Sequence, residues 1–263
     1  MLLVIDIGNT NTSLGVFEGE KLAAHWRLTT ARSRTVDEWG VHTRNLFALA
    51  GLDFKSIDAI AIASVVPPLN FTLKQMSETY FHVTPLFIDH TIDTGVPILY
   101  DPPSDVGADR IVDAVAAIEK YGAPCIVVDF GTATTFDAIN SKGEYLGGVI
   151  TPGITISSDA LFERAAKLPR VEIKRPQKVI GSATVEAMQS GLYHGYAGLV
   201  DGILKKMIDE LGGGPKIIAT GGLAPLIAKG SEFIQQVDQN LTLDGLRLVY
   251  ERTRKSSVGA KSL

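Results

Sequence analysis

One short pattern occurs twice in this chain, and the repetition limits its fold more than any other feature. Val4-Ile5-Asp6-Ile7-Gly8 and Val127-Val128-Asp129-Phe130-Gly131 align at an offset of 123 residues. Each is an apolar run ending in a carboxylate and then a glycine, and at the same offset Thr12 falls on Thr135. Such runs, stopped by turn residues, read as buried strands, with Gly8-Asn9-Thr10-Asn11-Thr12 and Gly131-Thr132-Ala133-Thr134-Thr135 as the turns that follow. A further hairpin comes after each: residues 14–17 and 22–28 around Glu18-Gly19-Glu20, then 136–139 and 145–150 around Ser141-Lys142-Gly143. A single repeat at this distance is a duplication of one unit, not the short period of a solenoid.

The rest of the chain alternates strands with helices. Thr35 and Glu38 have capping-box spacing before a helix reaching about residue 50. Residues 59–66 read as a strand stopped by Pro67-Pro68, followed by a helix to 76 and a strand at 85–88. After the loop Tyr100-Asp101-Pro102-Pro103-Ser104-Asp105, Ile111, Val112, Val115 and Ile118 fall at helical spacing. The second copy leads to a long helix at 184–211, a Gly212-Gly213-Gly214-Pro215 break, a strand at 216–219 and a short helix opened by Gly221-Gly222. This order predicts an α/β protein of two similar halves facing each other across a cleft. The halves are expected at 1–120 and 121–255, with a disordered tail at 256–263.

The formal net charge of -4 means that the chain as a whole does not attract phosphate or nucleic acid, so any anion must be held locally. Lys174-Arg175 and Lys205-Lys206 are too short for a nucleic-acid surface, and no nucleic-acid partner is expected. The single cysteine, Cys125, excludes an internal disulfide and a cysteine-built zinc site, and within an apolar strand it reads as a buried, inert thiol. The five histidines lack metal-ligand spacing. Met1 leads straight into an apolar run without a basic segment, so neither a signal peptide nor a membrane span is expected, and a cytoplasmic location fits.

Asp6 at a strand end, with polar turn residues behind it, is suited to hold a hydrated divalent cation beside phosphate oxygens. Gly8 lets the backbone approach such a ligand, and Asn9, Thr10, Asn11 and Thr12 supply hydrogen-bonding groups. The same residues also serve an ordinary hairpin turn. The echo at Asp129 favours the phosphate reading, since two such loops can grip a triphosphate from both sides, and phosphoryl transfer needs mainly positioning and charge neutralisation. Gly107-Ala108-Asp109-Arg110 opens the helix after the proline loop. There Asp109 satisfies the helix dipole at the least, and can also act as a base beside a cation, accepting a hydroxyl proton while Arg110 binds an anionic group. Gly221-Gly222-Leu223 offers bare backbone to a flat base or makes a plain strand-to-helix turn. Tyr100 can simply anchor its loop, and Thr184 can simply cap a helix.

Taken in order, the Asp-x-Gly-Asn-Thr opening, Gly-Ala-Asp-Arg, Asp-Phe-Gly-Thr-Ala-Thr-Thr and Ala219-Thr220-Gly221-Gly222 make the chain resemble the type III pantothenate kinases from Met1 to about Arg254. The resemblance implies the duplicated actin/hexokinase-like (ribonuclease-H-like) ATPase fold, a homodimer, and transfer of the γ-phosphate of ATP to the 4′-hydroxyl of pantothenate, the first step of coenzyme A synthesis. Asp6, Ile7, Gly8, Asn9, Thr10, Asn11, Thr12 and Ser13 would then hold the ATP phosphates, with Asp6 reaching Mg²⁺ through water. Asp109 would be the proton acceptor. Tyr100, Gly107, Ala108, Asp109 and Arg110 would contact pantothenate, joined by Thr184 from the same or the partner subunit. Thr132 would touch phosphate, and Asp129 would hold the monovalent cation, potassium or ammonium. Two other readings share the motifs: a phosphohydrolase of the same superfamily, and a regulatory relative without activity.

Overall fold

The apolar run at the start of the chain becomes the central strand of a five-stranded sheet, because its residues are buried on both faces. The structure, a computed structural model, describes residues 1–259. The first unit begins with β1 (Leu2–Ile7), β2 (Asn11–Glu18) and β3 (Lys21–Thr29), an antiparallel meander. Helix α1 (Val36–Leu49) follows, then β4 (Ala59–Ser64), α2 (Asn70–Met76) and β5 (Leu86–Ile88). β4 lies parallel to β1, and β5 parallel to β4, giving the order β3-β2-β1-β4-β5. Parallel neighbours need a crossover, and α1 and α2 supply it.

Alternation along β1 sends Leu3, Ile5 and Ile7 to one face and Leu2, Val4 and Asp6 to the other. The first face packs on Trp39 and Phe47 of α1 and Leu73 and Met76 of α2. Phe47 stacks there with Trp26, Phe54 and Phe81 at ring distances of 5.5 to 6.1 Å. Helix α1 starts where the capping box predicts: the Thr35 hydroxyl accepts from Glu38 N, and the Glu38 carboxylate accepts from Thr35 N.

Helix α3 (Ala108–Tyr121) carries the chain into the second unit, which spans Pro97–Leu99 and Ala117–Asn240. There β6 (Cys125–Phe130), β7 (Ala133–Ile139) and β8 (Tyr145–Pro152) form the same antiparallel meander, followed by α4 (Ile154–Arg164) and α5 (Thr184–Leu211). β9 (Lys216–Gly221), α6 (Ala224–Ile227) and β10 (Gln236–Val237) complete a sheet of order β10-β9-β6-β7-β8, with β9 parallel to β6 and β10 parallel to β9. Read from its other edge, this is the connectivity of the first sheet. Ile126, Val128 and Phe130 pack on Leu192, Tyr196 and Val200 of α5. Cys125 is fully buried, and burial pushes its thiol up to about 12, so it stays protonated and inert.

The last helix, α7 (Leu241–Gly259), returns to the first unit, where Leu243, Leu246 and Val249 pack with Leu2, Val4, Ala108 and Val112. Gly245 makes this contact possible, since a Cβ there would meet the Val112 carbonyl. The division therefore differs from halves at 1–120 and 121–255: the chain from Leu241 belongs with the first unit. Apolar residues three apart on α7 cover the second face of the first sheet, and chain order alone does not reveal that. Of the tail expected at 256–263, residues 256–259 continue α7, while 260–263 lie outside the described residues. Among the described residues no helix is long and apolar enough to cross a membrane.

Candidate functional site

The two strand-turn segments sit at equivalent places in their sheets, each after the strand that joins the antiparallel and parallel parts. In the first, Gly8 N donates to Asn11 O at 3.0 Å and closes the turn. The turn is fixed from the end of β3: Thr30 N donates to Thr10 O at 2.9 Å, and the Thr30 hydroxyl donates to Gly8 O at 2.7 Å. The Thr12 hydroxyl lies 2.9 Å from that of Thr30. Asn9 and Thr10 are exposed, Asp6, Asn11 and Ser13 are half-buried, and Ile7 and Thr12 are buried. Of the residues expected to meet a nucleotide, Ile7 has only its backbone to offer, and the Thr12 hydroxyl is already engaged.

In the second segment Asp129 is half-buried, with its carboxylate packed against two glycines. Gly221 has φ +90°, and a Cβ on it would collide with Asp129 Oδ1 and the Phe130 backbone. A Cβ on Gly131 would stand 3.2 Å from Asp129 Oδ2. Thr132 is exposed, and its carbonyl accepts from Gly153 N at 3.2 Å.

The register corrects one expectation. Ile7 faces Thr12 across the first hairpin, whereas Phe130 faces Thr134 across the second. The counterpart of Thr12 is therefore Thr134, not Thr135, because the second turn is one residue shorter and has no equivalent of Asn9. A one-residue slip exchanges the faces of a strand, and burial agrees: Thr12 and Thr134 are buried, while Ser13 and Thr135 are half-buried.

Asp109 lies in the first turn of α3, where its carboxylate accepts from Arg110 N at 2.8 Å and satisfies a helix N–H left over at that end. The side chain folds back over Gly107, where a Cβ would meet Asp109 Oδ1. It keeps some solvent contact but is densely surrounded, and burial pushes its carboxyl above the ordinary carboxylate value, against the Arg110 backbone hydrogen bond and guanidinium charge. Arg110 is buried beside it. Tyr100 is half-buried in the same unit.

β4 brings Asp109 and the first turn together. Ser64 pairs with Ile7, Val65 N donates to Ile7 O at 3.0 Å, and Val65 Cγ1 stands 3.2 Å from where a Gly107 Cβ would lie. On this side Ser64, Asn70, Asp89, Ser104, Gly107 and Ala108 line a recess of about 240 Å³, into which the start of α3 opens. The Asn70 Oδ1 atom is buried there with no hydrogen-bond partner in the structure. Ser64, Val65, Asn70 and Thr30 are not marked in the sequence, since the pairing of β1 with β2 and β4, and of β2 with β3, together with the crossover into α2, brings them to the site.

Thr184 opens α5 in the second unit and is exposed. The N-cap is Ala183, so the Thr184 hydroxyl does not cap the helix. Among the described residues no group of three or more His, Cys, Asp or Glu could hold a metal ion, so a cation at either turn would complete its shell with phosphate, backbone or water oxygens.

Known proteins identify the family and the fold. A family model described as type III pantothenate kinase matches residues 2–206. The type III pantothenate kinase of Koribacter versatilis is 60% identical over 267 residues, covering 98% of this chain and 97% of its own. That of Anaeromyxobacter sp. (strain Fw109-5) is 61% identical, covering 97% and 100%. Among solved structures, the activator of 2-hydroxyisocaproyl-CoA dehydratase from Clostridium difficile with bound ADPNP superposes with a TM-score of 0.56 at 13% identity, covering 98% of this chain and 97% of its own. A ROK hexokinase from Thermus thermophilus gives 0.51 at 12%, covering 97% and 99%. At such identities these two show the fold alone: an actin/hexokinase-like ATPase fold of two similar halves. With the family model spanning most of its length and relatives near 60% identity, the chain belongs to the type III pantothenate kinase family.

Proposed function

We propose that this chain transfers the γ-phosphoryl group of ATP to the 4′-hydroxyl of pantothenate, the first step of coenzyme A synthesis. The observation that carries the reading is the adjacency of Asp109, through Ser64 and Val65, to the turn after β1. Asp109 takes the hydroxyl proton as the oxygen attacks the γ-phosphorus, and the bond from that phosphorus to the bridging oxygen breaks, releasing ADP. Its raised affinity for protons makes it a better acceptor than an ordinary carboxylate. Gly107 and Ala108 offer pantothenate the recess at the start of α3, Arg110 adds positive charge, and Tyr100 contacts the same substrate.

Asp6 to Ser13 hold the ATP phosphates, with Asp6 toward the accompanying Mg²⁺ through water, and Thr132 contacts phosphate. Asp129 takes potassium or ammonium. Its carboxylate, packed against Gly131 and Gly221, is a hard oxygen donor of the kind such an ion takes, and the ion would supply charge neutralisation where lysines are few. A homodimer would cover exposed apolar residues of the second unit, among them Ile150, Ile156, Phe162, Val179 and Ile180. Thr184, next in sequence to the exposed Val185, is proposed to reach the partner's pantothenate. A cytoplasmic location goes with this activity.

The test is a phosphorylation assay with pantothenate in potassium and in sodium buffer. Pantothenate-dependent ADP release, faster in potassium, is expected. Phosphate release that ignores pantothenate would mark a hydrolase instead.

A further inference from the structure

The connector from β3 to α1 holds two arginines with different fates. Arg34 places its guanidinium 4.7 Å from the centre of the Trp39 ring, a packing role at the start of α1. Arg32 is exposed, and its Nη2 donates to Asn9 Oδ1 at 3.0 Å. Among the described residues no carboxylate pairs with Arg32. A guanidinium has five N–H donors and a permanent charge. Asn9 occupies one donor and, being neutral, leaves the charge whole.

The placement follows from the same bonds that fix the turn. Thr30 ties the end of β3 to Gly8 and Thr10, so the chain two residues later passes directly over Asn9. The second half has neither part of this arrangement. Its turn has no counterpart of Asn9, and β8 runs through Gly153 straight into α4.

We propose that Arg32, oriented by Asn9, is a nucleotide-binding residue that contacts the phosphates of the triphosphate held at the first turn. The inference rests on the reading of that turn as a phosphate loop. In a chain of net charge -4, an un-neutralised cation fixed to this turn is what draws and aligns a polyanion locally.

The experiment compares the full chain with Arg32→Ala and Arg32→Lys, measuring equilibrium binding of MgATP and of adenosine, and KM for ATP. Arg32→Ala is expected to weaken MgATP binding about tenfold, as loss of one partly solvated charge-assisted contact does. Adenosine binding stays unchanged, Arg32→Lys restores part of the loss, and the effect shrinks as salt rises. Unchanged MgATP binding in Arg32→Ala overturns the proposal. So does an equal loss for MgATP and adenosine, which would mean that the residue acts through the fold. A wild-type protein that binds MgATP yet never phosphorylates pantothenate would defeat the kinase reading while leaving this test intact.

Discussion

The two turns share a frame and differ in what fills it. Each follows the strand between the antiparallel and parallel parts of its sheet, each has an acid two residues before its glycine, and each is tied back by an N–H from beyond the third strand, Thr30 in one and Gly153 in the other. The first turn keeps side chains: Asn9 reaches Arg32, and Thr30 locks Gly8 and Thr12. The second is built differently. It lacks the residue equivalent to Asn9, Gly153 replaces Thr30, and Gly221 and Gly131 pack against Asp129. Duplication thus preserved the backbone scaffold while the local chemistry diverged, toward donors and a cation on one side and toward a carboxylate packed against glycines on the other. This is the asymmetry expected if one turn holds phosphates and the other an ion.

On that view neither turn performs the proton transfer, and the largest effect should come from a residue outside both. Asp109→Asn should lower kcat by about a hundred- to ten-thousandfold while leaving MgATP binding largely intact. Near-normal turnover in a phosphorylation assay would remove Asp109 from its role. The acid limb of the wild-type pH profile should also lie above the ordinary carboxylate range, with activity lost as pH falls through the raised pKa of Asp109. Stability runs the other way. A carboxyl whose folded pKa is raised favours folding below its unfolded pKa and loses that contribution as pH rises through the folded value. Asp109→Asn should therefore be no less stable than wild type at neutral pH, and thermal melts across pH check the sign.

The second turn is probed by its carboxylate and its glycines. Asp129→Ala should abolish the difference between potassium and sodium and weaken MgATP binding by at least about tenfold. Gly221→Ala should act in the same direction with the carboxylate still present, because the new Cβ would crowd Asp129 Oδ1 and the backbone stands at φ +90°. Strain of that kind costs about 1–3 kcal/mol. Gly8→Ala in the first turn should cost less, since its Cβ would meet only Asn11 O at 3.0 Å. An unchanged cation response in Asp129→Ala would erase the functional contrast between the turns.

What the sequence disclosed was local. β1, the Thr35–Glu38 cap of α1 and the limits of α5 follow from residues within a few positions of one another. The duplication was visible because strand, acid and glycine are contiguous. The threonine equivalence slipped by one because a missing turn residue alters pairing without altering the motif. Thr30, Gly153, Val65 and Gly221 owe their places to cross-strand register, which no local pattern encodes. α7 stayed hidden for a related reason: its charged stretch toward Arg254 and Lys255 resembles a tail, while Leu243, Leu246 and Val249 gain meaning only against the first sheet.

The smallest effect offers the cleanest test of the asymmetry, because it needs no ligand. The Thr30 hydroxyl has one proton and gives it to Gly8 O, so Thr12 must be the donor in the Thr12–Thr30 contact. Thr12→Val removes that bond and leaves the half-buried Thr30 hydroxyl with one partner fewer, which should cost about 1 kcal/mol. Thr134 occupies the same place in the other sheet, but Gly153 offers no hydroxyl, and the buried Thr134 Oγ1 has no hydrogen-bond partner in the structure. Exchanging a buried, unsatisfied hydroxyl for a methyl of similar shape is nearly neutral or stabilising. Thr134→Val should therefore melt at or above the wild-type temperature, and Thr12→Val below it. Equal losses would mean that Thr134 has found a partner of its own, and that the second turn is held as firmly as the first.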